Sequence, residues 1–145
     1  MAASAWAINK YAKLKIGQGI IDLSAVLFRL SLHTSAASAN IAGDISILGS
    51  VGSEVTGGGY TAGGERLSAT TWALSGNNAK FDSTAKIYTG SIANIRYAYI
   101  VYSAAASTNA AHLVCWSALS TSPFSVTGTN TLTVTPNTAG IFTLS

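Results

Sequence analysis

Charge is the scarcest commodity in this chain. Of 145 residues only 9% are Asp, Glu, Lys or Arg, against roughly 25% in an ordinary soluble domain. Ser, Thr, Ala, Gly and Asn must therefore cover much of the surface. Such a surface is easy to desolvate, because few ions need to be stripped of water, and it suits a protein held against neighbours. The eight cations and five anions leave a formal net charge of +3. Apart from Lys10, Lys13 and Lys15 the cations are scattered, whereas a nucleic-acid binder gathers them on one face. Nucleic acid is accordingly not an expected partner.

Cysteine is nearly absent. Cys115 stands alone, so no disulfide can form within the chain, which suits folding in a reducing compartment. It lies in the apolar run Leu113-Val114-Cys115-Trp116 and reads as a small buried hydrophobe. Long apolar runs are missing too. The best stretch, residues 92–106, is broken by Asn94 and Arg96 and is too short to span a bilayer. The first residues lack the charge-then-apolar order of a secretory signal, since the lysines follow Trp6 and Ile8. The expectation is a chain made in the cytoplasm, with no membrane partner.

The residues for common chemistries are thin as well. His33, His112 and Cys115 are the only imidazoles and thiol. His112-x-x-Cys115 has a ligand-like spacing, yet nothing completes a zinc pattern, and on a strand these positions face opposite ways. Asp22, Asp44, Glu54, Glu65 and Asp82 fall in loops or strand ends and read as solvated charges rather than as the paired carboxylates of acid–base work. The G-x-S-x-G elbow and the G-x-x-x-x-G-K-[ST] phosphate loop are absent. No enzyme activity, metal or cofactor is expected.

What is present is hydrophobicity (48% of residues, mean hydropathy +0.37) arranged largely with a period of two. Residues 3–16 are the exception. There Ala7, Ile8, Tyr11, Ala12 and Leu14 keep a helical period, with Ser4 as candidate N-cap and Gly17 and Gly19 as the stop. Residues 25–34 alternate, Val26, Phe28, Leu30 and Leu32 forming the core-facing set. Gly57–Gly64 holds five glycines in eight residues, so it is a turned surface loop with Tyr60 as its one bulky side chain. Further strands are expected over 67–74, 79–82, 85–89, 95–102, 113–119, 124–127, 131–135 and 141–144. The strand at 95–102 should be central, since both of its faces are apolar or aromatic. Gly128-Thr129-Asn130 should close a hairpin between the strands at 124–127 and 131–135. Tyr97, Tyr99, Tyr102, Trp72 and Trp116 could form a stacking platform, but aromatics also fit best inside β sheets. The expected architecture is a single domain over 1–145. It consists of an N-terminal arm and helix (1–19) and a mainly β body (25–145), a two-sheet antiparallel sandwich or jelly roll.

Several segments resemble a group of small virion proteins of tailed bacteriophages. They are Trp6-Ala7-Ile8-Asn9-Lys10-Tyr11-Ala12-Lys13 with Lys15-Ile16-Gly17 and Ile21-Asp22-Leu23; Gly59-Tyr60-Thr61-Ala62-Gly63-Gly64; and, near the end, Asn130-Thr131-Leu132-Thr133-Val134 and Gly140-Ile141-Phe142-Thr143-Leu144-Ser145. Residues 35–56 and 103–112 carry little of the likeness. The resemblance implies a capsid cement (decoration) protein. That would be a β-rich homo-dimer or homo-trimer on the outside of the shell, whose partner is the major capsid protein and which has no catalytic residues. Trp6, Tyr11, Leu14 and Tyr60 lie outside the β pattern and are the candidate capsid or subunit contacts. The competing expectation is a tail or head-fibre adhesin that binds host glycans.

Overall fold

The structure, a computed structural model, describes residues 5–36, 45–103 and 110–144. It is mainly β, with several antiparallel sheets and a helix near the N-terminus. The elements are β1 (Ala7–Ile8), α1 (Lys10–Gly17), β2 (Phe28–His33), β3 (Glu65–Arg66), β4 (Thr71–Ser75), β5 (Asn78–Asp82), β6 (Lys86–Thr89), β7 (Ile92–Ile95), β8 (Tyr97–Tyr102), β9 (His112–Ala118), β10 (Phe124–Val126), β11 (Thr131–Val134) and β12 (Phe142–Leu144).

One layer is the five-stranded sheet β1-β9-β8-β2-β3. Its inner face carries Phe28, Leu30 and Leu32 of β2, Ala98 and Ile100 of β8, and Cys115 of β9. Against this face pack three ribbons, β12-β5-β4, β11-β6 and β10-β7, which contribute Phe81, Tyr88, Ile92, Ile95, Leu132, Val134 and Phe142 to the same core. Phe28 and Phe81 meet across the layers at 4.7 Å between ring centroids. The buried hydroxyl of Tyr88 ties the layers together by donating to the Leu30 carbonyl at 2.7 Å. This two-layer arrangement is compatible with a β sandwich, with ribbons in place of a second continuous sheet.

β8 is central, flanked by β9 and β2, and its residues 97–101 are buried on both faces. Its outer face (Tyr97, Tyr99, Val101) meets Leu113 of β9 and is roofed by Leu48 of a 3₁₀ turn, Leu48–Ser50, and by Val51, which caps that turn. A second small core thus explains the two-sided apolar pattern. The apolar run at 113–116 has a further cause. Ile100 pairs with Cys115 and Val101 with Leu113, so Val114 is an extra, bulged residue.

Five expectations need correcting. The helix is shorter than residues 3–16, because Ala7 and Ile8 pair with Trp116 and Cys115 as an edge strand. Asn9, not Ser4, caps it, the Asn9 side chain accepting from the Tyr11 N–H at 2.9 Å; Ser4 lies outside the described residues. The expected strand 95–102 is two strands. Asn94 at φ +58 and Arg96 form a corner between layers, with the Arg96 N–H bonded to the His33 carbonyl at 2.9 Å. The expected hairpin at 124–135 is absent, since β10 pairs with β7 and β11 with β6. Finally, Val26 precedes β2 and is 61% exposed rather than in the core.

Candidate contact surface

The N-terminal arm is integrated at its base and exposed at its far end. Asn9 is buried and fastens the arm three ways. It caps α1, its N–H donates to the Val114 carbonyl at the bulge (2.9 Å), and its Nδ2 donates to the Ile45 carbonyl (2.9 Å). Ala12 is buried, and Trp6 and Ile8 pack half-buried against the main core. The Trp6 Nε1 is enclosed without a hydrogen-bond partner among the described residues. Tyr11 is half-buried beneath the Lys10 ammonium, 5.3 Å from the ring centroid. Beyond it Leu14 is 57% and Ile20 46% exposed. The helix ends on Gly19 at φ +72, with the Gly19 N–H bonded to the Ile16 carbonyl and the Ile20 N–H to that of Lys15. This is the paired bonding of a Schellman stop. Lys15 Nζ lies 2.8 Å from His112 Nδ1 on β9. Burial lowers the pKa of both groups, and the Lys15 charge lowers that of His112 further.

The structure does not bring the four candidate contacts together as one patch. Leu14 presents its side chain to solvent, Trp6 and Tyr11 are half-buried, and Tyr60 is used internally. Its hydroxyl donates to Glu54 Oε1 and accepts the Leu32 N–H at 3.1 Å, while its ring lies 5.9 Å from that of Tyr88. Burial, and then the Glu54 carboxylate, push its pKa far up. Glu54 Oε1 also accepts the Gly63 N–H at 2.7 Å, so this carboxylate organises the glycine loop. The loop is tightly packed. A Cβ on Gly59 would sit 1.3 Å from the Thr89 carbonyl oxygen, and one on Gly64, at φ +83, 2.6 Å from that of Leu30.

The other acids within the described residues are likewise engaged. Glu65 pairs with Lys86 at 2.6 Å, Asp82 with Lys80 at 3.1 Å, and Asp22 accepts from Ser24. The reading of Glu54 and Glu65 as solvated loop charges is thus replaced by structural roles; Asp44 lies outside the described residues. Arg29 donates to the Gly64 carbonyl at 3.0 Å, and Arg96 lies over the Tyr97 ring at 5.1 Å.

One arrangement has the look of nucleophile chemistry and escaped the sequence reading. His33 Nε2 is 3.1 Å from Ser31 Oγ, and His33 Nδ1 is 2.8 Å from the Gly52 carbonyl. A base oriented by an acceptor beside a hydroxyl is the form of an activated serine. Both side chains, however, are buried, Ser31 at 0% and His33 at 1% exposure, so neither is open to a substrate in this structure. Burial lowers the His33 pKa against the opposing effects of Gly52 and Glu54. The pair is best described as a satisfied buried network, with the imidazole neutral. Cys115 is buried and its thiol pKa raised by desolvation, the reverse of an activated thiolate. No cluster of three or more His, Cys, Asp or Glu side chains with metal-site geometry occurs among the described residues. The aromatic platform is also turned inward, with Tyr97 and Tyr99 buried and Trp116 half-buried.

The exposed surface shows isolated large apolar side chains on separate elements. They are Leu14 and Ile20 at the helix end, Val26 before β2, Leu74 on β4 (82% exposed) and Ile87 on β6 (56%). Between the helix end and β4 lies an open groove of about 360 Å³ lined by Ile16, Ile21, Leu23 and Trp72.

Compared with known proteins, the chain matches no family model, no curated protein and no solved structure.

Proposed function

We propose that this chain is a structural virion protein of a tailed bacteriophage, a cement protein that binds the outside of the capsid and bridges neighbouring capsid subunits. The observation that carries the reading is the surface. Large apolar side chains stand exposed at the helix end and on β4 and β6, in a protein with few charges to desolvate. The resemblance of the Trp6–Lys13, Gly59–Gly64 and C-terminal segments to phage virion proteins supplies the partner, the major capsid protein. The mechanism is linkage. A protein that binds the expanded shell better than the compact precursor stabilises the expanded state. Weak contacts repeated around a symmetric shell add up to strong retention.

Purified protein mixed with expanded, undecorated phage heads and sedimented through a cushion tests this. The expected result is saturable binding at a fixed copy number per shell. No co-sedimentation overturns the reading, and a glycan screen for the adhesin role follows.

A further inference from the structure

β4 is the outer strand of the sheet β12-β5-β4. It is joined to β5 by the two-residue turn Gly76-Asn77, with Gly76 at φ +64, as in a type II′ hairpin. In such a hairpin Ser75 and Asn78 form a hydrogen-bonded pair, and the ladder alternates from there. The peptide groups of Thr71, Ala73 and Ser75 therefore face β5, and those of Trp72 and Leu74 face the free edge. Among the described residues no strand pairs with that edge. Nor do the five residues Thr-Trp-Ala-Leu-Ser contain the charge or proline that commonly guards an edge strand.

The strand is complementary to itself. Rotated about a two-fold axis through Ala73, Trp72 falls opposite Leu74 of a second copy, and Thr71 opposite its Ser75. Apolar meets apolar on one face and hydroxyl meets hydroxyl on the other. The outward peptide groups of Trp72 and Leu74 are those that such a register bonds. Each copy also carries both halves of a side-chain contact. Leu74 is 82% exposed. Trp72, half-buried and 6.5 Å from the Phe142 ring, forms one wall of the groove below the helix end, lined by Ile16, Ile21 and Leu23 and, on its polar side, by Asp22 and Ser24.

We infer that β4 pairs antiparallel with β4 of a second copy of this chain about a two-fold axis at Ala73. The two three-stranded sheets become one of six strands, and Leu74 of each copy covers the Trp72 groove of the other. Pairing through one five-residue strand is a limited contact, and it strengthens where many copies are held close together. It rests on the geometry of this strand and does not depend on the capsid reading.

The full chain carrying Ala73→Cys tests it without any capsid. At a non-hydrogen-bonded antiparallel position the Cα atoms approach to about 4.5 Å, within disulfide reach. Mild oxidation at the highest soluble concentration is expected to give a disulfide-linked dimer at position 73. Ser75→Cys, equally exposed but four residues from its symmetry mate in register, should give none. Leu74→Lys added to Ala73→Cys should slow cross-linking at least tenfold while circular dichroism stays native. Equal cross-linking at 73 and 75, none at either, or no effect of Leu74→Lys overturns the inference.

Discussion

His33 holds a polar cluster together in its neutral form. Its imidazole pKa lies below the ordinary 6.5 because burial penalises the charged ring. The unfolded chain therefore binds a proton that the native chain resists, and stability is lost as pH falls through about 6.5 toward the folded pKa. The slope is at most about 1.4 kcal/mol per pH unit in that window. Urea midpoints measured from pH 7.5 down to 5.5 should fall, and His33→Gln should reduce the dependence to the share of His112, whose pKa is lowered too; an unchanged slope in the variant would assign it to His112 alone. Tyr60 is a second residue-scale test. Tyr60→Phe leaves Glu54 and the Leu32 N–H each short of a partner, at about 1–3 kcal/mol of stability. Neither residue betrayed its role in the sequence. Tyr60 and Glu54 are six positions apart in a glycine-rich stretch without local periodicity, and only folding brings the Leu32 backbone to that hydroxyl. Side chains of this kind, serving internal order, are poor candidates for the proposed capsid contact; Leu14 and Ile87, both exposed, are better ones.

At the scale of elements, period-two alternation was a sound guide where a strand covers one core or is sandwiched between two. β2 and β8 follow it, residue for residue. It failed where pairing is long-range. Gly128-Thr129-Asn130 is a proper turn signal, but a turn does not dictate that its flanks pair, and β6 and β7 outcompete for β11 and β10. Trp6-Ala7-Ile8 has helical spacing, yet the free edge of β9 offers two residues a ladder and a place on the core, which outweighs weak helix propensity. The glycine loop is legible as a turn from composition alone, but its tightness is not. There the prediction is sharp. Gly59→Ala forces a Cβ into the Thr89 carbonyl and should destabilise by about 1–3 kcal/mol. Gly58→Ala, whose Cβ meets nothing within 4 Å, should stay within about 0.5 kcal/mol of wild type. Thermal melts of the two variants decide it. Deleting residues 1–16 would remove Trp6, Ile8 and Ala12 from the core along with the exposed helix face. Leu14→Lys and Ile20→Lys are the cleaner probes of that face. Each is expected to keep the native melting temperature within a few degrees and to weaken shell binding.

For the whole molecule, the low charge content and the scattered exposed apolar side chains are what the proposed cement role would draw on, through weak contacts repeated around the shell. The exposed apolar side chains lie on separate elements, so in the proposed role substitutions at one apolar position should lower affinity for a shell by small factors. Combining Leu14→Lys, Ile20→Lys and Ile87→Lys should abolish retention, because avidity multiplies the losses. The central claim is that the chain stabilises an expanded shell, and such a shift requires a difference in affinity between the two shell states. The decisive measurement is therefore binding to expanded and to compact precursor heads side by side, with the melting temperature of the particles followed alongside. Saturation on expanded heads, weak binding to precursors and a higher melting temperature of the decorated particle are the predicted results. Equal binding to both states, or to neither, would contradict the account.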